Sequence, residues 1–86
     1  MRIKLEHFRL SRTHRSIRVG GLFSHKISGL TSSSRVSEIH YVDLKESMFD
    51  FPLIEVFTKK RTKPIARFNA NRVVHLEPTK DQHVFN

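Results

Sequence analysis

The sequence predicts a small, mainly β domain: an antiparallel bent sheet or compact barrel of four to six short strands with at most one short helix. A β-rich α+β arrangement satisfies the same pattern. Three observations carry the expectation. Short runs alternate apolar and polar residues with a period of two. Gly and Pro punctuate those runs, and no segment sustains the 3.6-residue period of a long helix.

The elements follow in chain order. RIKLEHFRL places Ile3 and Leu5 two apart and Phe8 and Leu10 two apart, with a phase slip between the pairs. A bulged strand and a short helix both accommodate that slip, and residues 2–6 read as strand. SRTHRS is a polar turn or loop. Ile17 and Val19 alternate with Arg18 until Gly20-Gly21 interrupts them, which reads as a tight turn or sharp bend. HKISGLTSSSR carries Gly29 and a Ser/Thr run at 31–34, a loop signature. It lacks the GxxxxGK[ST] pattern of a phosphate-binding loop.

RVSEIHYVDL is the cleanest strand by composition, with Val36, Ile39, Tyr41 and Val42. Within DLKESMFDF, Asp43 and Glu46 have the spacing that caps one short helical turn, closed by Pro52. Residues 53–58 are apolar on both parities and read as a buried strand. KRTKP is a turn, with Pro64 at a strand entry or edge. PIARF runs back, NAN makes a bulge or second turn, and RVVHLEP is the last strand. The 86 residues read as one domain over 1–86, with 79–86 a loose tail.

Charge dominates the composition. Sixteen Lys and Arg face eight Asp and Glu, and they are unevenly placed. Residues 1–26 carry +6, residues 27–56 carry −3, residues 57–74 carry +6 and residues 75–86 carry −1. Two cationic segments therefore flank an acidic middle, a distribution that attracts polyanions. The chain has no Cys, so no disulfide or thiolate metal site supports it, consistent with a reducing, cytoplasmic setting. The basic, Ser-containing N-terminus has the composition of a mitochondrial transit peptide, but its apolar residues form no signal-peptide core. No apolar run approaches the roughly 20 residues that cross a bilayer as a helix, so no membrane partner is expected.

Catalytic and metal chemistry find little support in the spacing. The six His stand at 7, 14, 25, 40, 75 and 83, without HxH, HxxxH or HExxH. No metal or cofactor is expected. No strand–turn–helix elbow surrounds a Ser. A metal-free nuclease would draw on His75 or His14 beside the basic residues, yet nothing organises them, and the expectation is a non-enzyme.

The positive expectation is nucleic-acid binding by phosphate neutralisation on a cationic sheet or hairpin surface. The candidate residues are Arg9, Arg12, Arg15 and Arg18 in the first segment, and Lys59, Lys60, Arg61, Lys63, Arg67 and Arg72 in the second. Arg2 and Lys4 belong with the first group. If the first strand lies near the 59–72 hairpin, the groups merge. Phe68 is a candidate stacking face, with Asn69 and Asn71 as base-edge contacts, against the plainer role of core and turn residues. No RNP1-like motif, zinc-finger spacing, GXXG clamp or basic zipper is present.

The alternative is a protein-interaction or inhibitory module that docks on an acidic protein surface. That is the style of small viral or plasmid-encoded regulators. It allows a homodimer, through residues 36–44 as an exposed edge strand or through the acidic middle against the basic parts of a second copy.

Overall fold

The computed structural model describes residues 2–80, with Ile27 described by its backbone alone. Seven strands form one antiparallel curled sheet, a half-barrel. In chain order they are β1 (Arg2–Leu10), β2 (Ser16–Arg18), β3 (Leu22–Ile27), β4 (Leu30–Val42), β5 (Leu53–Thr58), β6 (Ala66–Asn69) and β7 (Val73–Pro78). A single 3₁₀ turn, Ala70–Arg72, joins β6 to β7. The main path runs β2-β1-β4-β5-β6, with β3 paired to β4 and β7 paired to β1. The expected mainly β, antiparallel bent sheet is present, and β3 is the strand added to the expected set.

Register explains the core. Leu5, Ile39, Val56 and Ala66 form one row across β1, β4, β5 and β6, and Ile3, Tyr41, Ile54 and Phe68 form the next. Both rows face the concave side, where Phe8, Ile17, Phe23, Val36 and Ala70 complete the buried cluster. Ile39, Ile54 and Val56 are fully buried, and each such side chain contributes roughly 1.5–3 kcal/mol. The intervening row, Lys4, His40, Glu55 and Arg67, faces outward.

The phase slip in β1 is resolved as strand with irregular pairing. Register shifts against β7 fall between Leu5 and His7 and between His7 and Arg9. Phe8 and Leu10 thereby turn inward alongside Ile3 and Leu5. On β7, His75 holds the left-handed conformation (φ 54°), so two residues, His75 and Leu76, span the gap opposite Phe8.

Three expectations are corrected. The stretch read as loop at 25–35 is a β-hairpin: β3 pairs residue for residue with Leu30–Arg35 of β4. Ser28 and Gly29 close it as a two-residue turn with φ 52° and 82°, the type I′ signature. The serines are satisfied across the hairpin, Ser24 Oγ with Ser33 Oγ at 3.4 Å and His25 Nε2 with Ser34 Oγ at 3.0 Å.

Second, residues 36–44 are not an exposed edge. The segment from Val36 to Val42 has β5 on one side and, from Ile39 onwards, β1 on the other, so it offers no free edge to another strand. Among the described residues, β2 and β7 pair only with β1, β6 only with β5, and β3 only with Leu30–Arg35 of β4, so the open edges lie on those strands and on that outer part of β4. Third, the capped turn expected at 43–51 is present but grows into no helix: Asp43 Oδ1 accepts from the Glu46 amide at 3.2 Å, the Asp43 carbonyl from the Ser47 amide at 3.0 Å, and Ser47 Oγ donates to the Phe51 carbonyl at 2.7 Å.

The Gly pair makes the expected bend. The Gly20 amide donates to the Val36 carbonyl and the Val36 amide to the Gly21 carbonyl, each at 2.9 Å. The chain thus leaves β2, which pairs with β1, and enters β3, which pairs with β4. The expected loose tail at 79–86 falls mostly outside the described residues, although the Thr79 amide donates to the Lys4 carbonyl at 3.2 Å. No helix among the described residues is long and apolar enough to cross a membrane.

Candidate anion-binding groove

The concave end of β4 opens into a groove of about 710 Å³. One wall is the β3–β4 hairpin, contributing His25 and Ser32 to Arg35. The opposite wall is the start of the β5–β6 connection, Thr58 to Arg61. Val19, Gly20, Val36 and Ser37 complete the lining.

Strand register explains which side chains meet there. Ser32 lies opposite His25 and Ser34 opposite Phe23, so these four share one face of the hairpin. Phe23 is buried in the core, and its ring lies 6.2 Å from that of His25 with the planes 12° apart. The His25–Ser34 hydrogen bond fixes the imidazole across the hairpin. Arg35 donates from Nη1 to the Gly20 carbonyl, which holds its guanidinium against the Gly bend.

The electrostatics are one-sided. Four cations, Arg35, Lys59, Lys60 and Arg61, line the groove, and no carboxylate does. Among the described residues, Lys59, Lys60 and Arg61 form no ion pair. The described acids are elsewhere: Glu38 and Glu55 on the convex face, Asp43, Glu46 and Asp50 in the loop before β5, Glu6 on β1 and Glu77 on β7. The 43–52 and 59–65 loops leave opposite ends of the six-residue β5, about 20 Å apart. A concave site lined by one sign of charge concentrates the field that draws counter-charge.

The other candidate residues divide into groups. Arg9 donates from Nε to Ser16 Oγ at 3.3 Å. Arg15 lies with its Cζ 4.6 Å from the Phe23 centroid and donates to the Ser24 carbonyl at 3.4 Å. Arg12 is exposed in the turn after β1, and Arg18 is exposed on β2 opposite His7. Arg72 comes to the turn after β1 because its carbonyl accepts from the Ser11 amide at 3.0 Å and from Ser11 Oγ at 2.9 Å. Arg9, Arg12 and Arg72 therefore gather at one corner. β1 reaches them by pairing with β7, and not with the β5–β6 hairpin.

Lys63 is exposed in the 59–65 loop outside the groove. Arg67 is committed to the fold: its Nε donates to Glu55 Oε2 at 3.2 Å, while Arg2 donates to Glu55 Oε1 at 2.7 Å. Phe68 packs into the core, 5.6 Å from Phe8 and 6.2 Å from Phe23 between ring centroids. Asn69 Oδ1 accepts from the Asn71 amide at 2.8 Å and so caps the 3₁₀ turn.

Arg35, His25 and the Ser32–Ser34 run are groove residues that sequence reasoning missed. The available signal was Ser-Gly between two runs of equal parity, which marks a hairpin turn. No cluster of three or more metal-ligating side chains exists among the described residues. No family model, curated protein or solved structure matches this chain.

Proposed function

We propose that this protein is a non-enzymatic nucleic-acid-binding protein that neutralises phosphates in the groove between the β3–β4 hairpin and the 59–61 turn. One observation carries the reading: Lys59, Lys60 and Arg61 stand together beside an acid-free concavity, and no ion pair among the described residues satisfies them. Phosphate oxygens supply both the charge and the acceptors that such a site lacks. Ser32 adds a neutral donor, which suits a backbone-tracking site with little sequence preference. The Arg9–Arg12–Arg72 corner adds a second phosphate contact.

The test is fluorescence anisotropy of labelled duplex DNA, single-stranded DNA and structured RNA as a function of salt. Wild type is compared with Lys59→Ala/Lys60→Ala/Arg61→Ala. The variant is expected to lower the slope of log K against log salt by about 2, at roughly 0.7–0.9 for each phosphate no longer neutralised. No saturable binding to any polymer by the folded wild type defeats the proposal. The same groove then becomes bait for an acidic protein surface.

A further inference from the structure

The groove carries information about which form of nucleic acid it takes. Resting on the reading above, we infer that it accepts a single strand, with one base stacked on the imidazole of His25. Three observations converge. First, a volume of about 710 Å³ is the scale of a small-ligand site, roughly 300–1,000 Å³, and so of one or a few nucleotides. A duplex, rigid over about 50 nm, cannot fold into a concavity bounded by a hairpin and a turn. A single strand can splay its bases into it.

Second, His25 is the only aromatic ring that lines the groove among the described residues. Its ring is backed by Phe23 in near-parallel orientation and pinned by Ser34. A ring held this way is a preorganised platform: stacking a base on it costs little side-chain entropy. Phe23 is buried, so the platform's support belongs to the core.

Third, the groups beside the platform divide the two tasks of single-strand recognition. Lys59, Lys60 and Arg61 lie across the groove from it and serve the phosphates. Ser32 lies opposite His25 on the same face of the hairpin wall, and its hydroxyl donates and accepts alike, so it satisfies any base edge without choosing among bases. The ligand class is a single-stranded polynucleotide of broad sequence.

The experiment measures binding of oligodeoxythymidine, oligouridine and a blunt DNA duplex of the same length at constant salt, with the salt series repeated for each protein. The proteins are wild type, His25→Ala, His25→Phe and the 59–61 triple variant, each with its fold checked by circular dichroism. The inference expects both single strands to bind more tightly than the duplex. His25→Ala should lose roughly tenfold on single strands, the scale of one base stacked on one ring. The salt slope should stay unchanged, and His25→Phe should restore affinity because it keeps the ring and loses only the bond to Ser34. The oligouridine-to-oligodeoxythymidine ratio assigns RNA or DNA.

A duplex bound as tightly as the single strands overturns the inference, while a salt slope that falls in the triple variant preserves phosphate neutralisation. Equal losses in His25→Ala and His25→Phe, or no loss in His25→Ala, overturn the stacking role. Absence of binding to all three ligands removes this inference together with the reading on which it rests.

Discussion

Glu55 offers the sharpest quantitative test of the structure. Its side chain is 9% exposed on the convex face, and its two carboxylate oxygens are divided between Arg2 and Arg67. A hydrogen bond to a charged group is worth about 1.5–3 kcal/mol. The Arg67 side chain is 46% exposed, so water screens that contact, and its worth falls to about 1 kcal/mol. Removing Arg67 does not strand the carboxylate, because Arg2 remains at 2.7 Å. Arg67→Ala is therefore expected to cost about 1 kcal/mol and not the roughly 3–5 kcal/mol of an abandoned buried charge.

Glu55→Gln keeps the shape and one acceptor, and costs about 1–2 kcal/mol because both guanidiniums lose their counter-charge. The double variant should cost less than the two single losses together, by about 0.5–1 kcal/mol of coupling. The assay is urea unfolding followed by far-UV circular dichroism or Tyr41 fluorescence, since the chain has no Trp. Each kcal/mol lowers Tm by roughly 4–8 °C in a domain of this size. Coupling below about 0.3 kcal/mol, with Arg67→Ala neutral, refutes the assignment of Arg67 to the fold.

Two further outcomes follow from the fold. Burial of His7, aided by Arg18 and opposed by Glu77, lowers its pKa from 6.5, so the unfolded chain binds this proton more readily than the folded one. Stability contributed here is complete above 6.5 and is lost as pH falls from 6.5 to the lower folded value. His7→Gln should flatten that part of a urea-midpoint profile, and a profile as acid-sensitive as wild type contradicts the burial argument. At the β3–β4 turn, Ser28→Asn places a residue that tolerates φ 52° better than Ser. The variant should gain about 0.5 kcal/mol and slow amide exchange at His25 and Ser32, whereas unchanged exchange argues against a type I′ turn limiting that hairpin.

Most of the sheet was legible because its strands either carry period-two patterns or, in β5, are apolar on both parities and buried on both faces. Val36, Ile39, Tyr41, Ile54 and Val56 are apolar where the half-barrel has its inside, while Val42 and Leu53 pair with each other and are buried on the other face. The phase slip at Glu6–His7 was visible too, since a bulge shifts parity without changing composition. The hydroxyl run at 31–34 was not legible as strand. Thr31, Ser32, Ser33 and Ser34 have polar side chains that favour turns when alone, and only the opposing Ser24 and His25 make them a ladder. For the site, Lys59, Lys60 and Arg61 were found from charge alone. Arg67 has the same charge, but Glu55 lies twelve residues earlier in sequence, and only the β5–β6 register brings them together. His25 and Arg35 join the groove through the Gly20–Gly21 bend, which was legible as a bend, but the strands that it connects are decided by tertiary pairing.

β4 belongs to two mechanical regimes. From Val36 to Val42 it is held in the sheet, whereas from Leu30 to Arg35 its only strand partner among the described residues is β3. The outer part is thus a lever about 20 Å long, at roughly 3.3 Å per residue, with its fulcrum where Gly20 and Gly21 clasp Val36. A rotation of about 10° at that fulcrum carries the tip roughly 3–4 Å. The aperture between His25 and the 59–61 turn is consequently set by main-chain angles at two glycines together with the anchoring of Phe23 in the core. A methyl group at Gly21, which would lie 3.2 Å from the Arg18 carbonyl, crowds the joint itself. The jaw's gape can thus be altered from a position that does not line the groove.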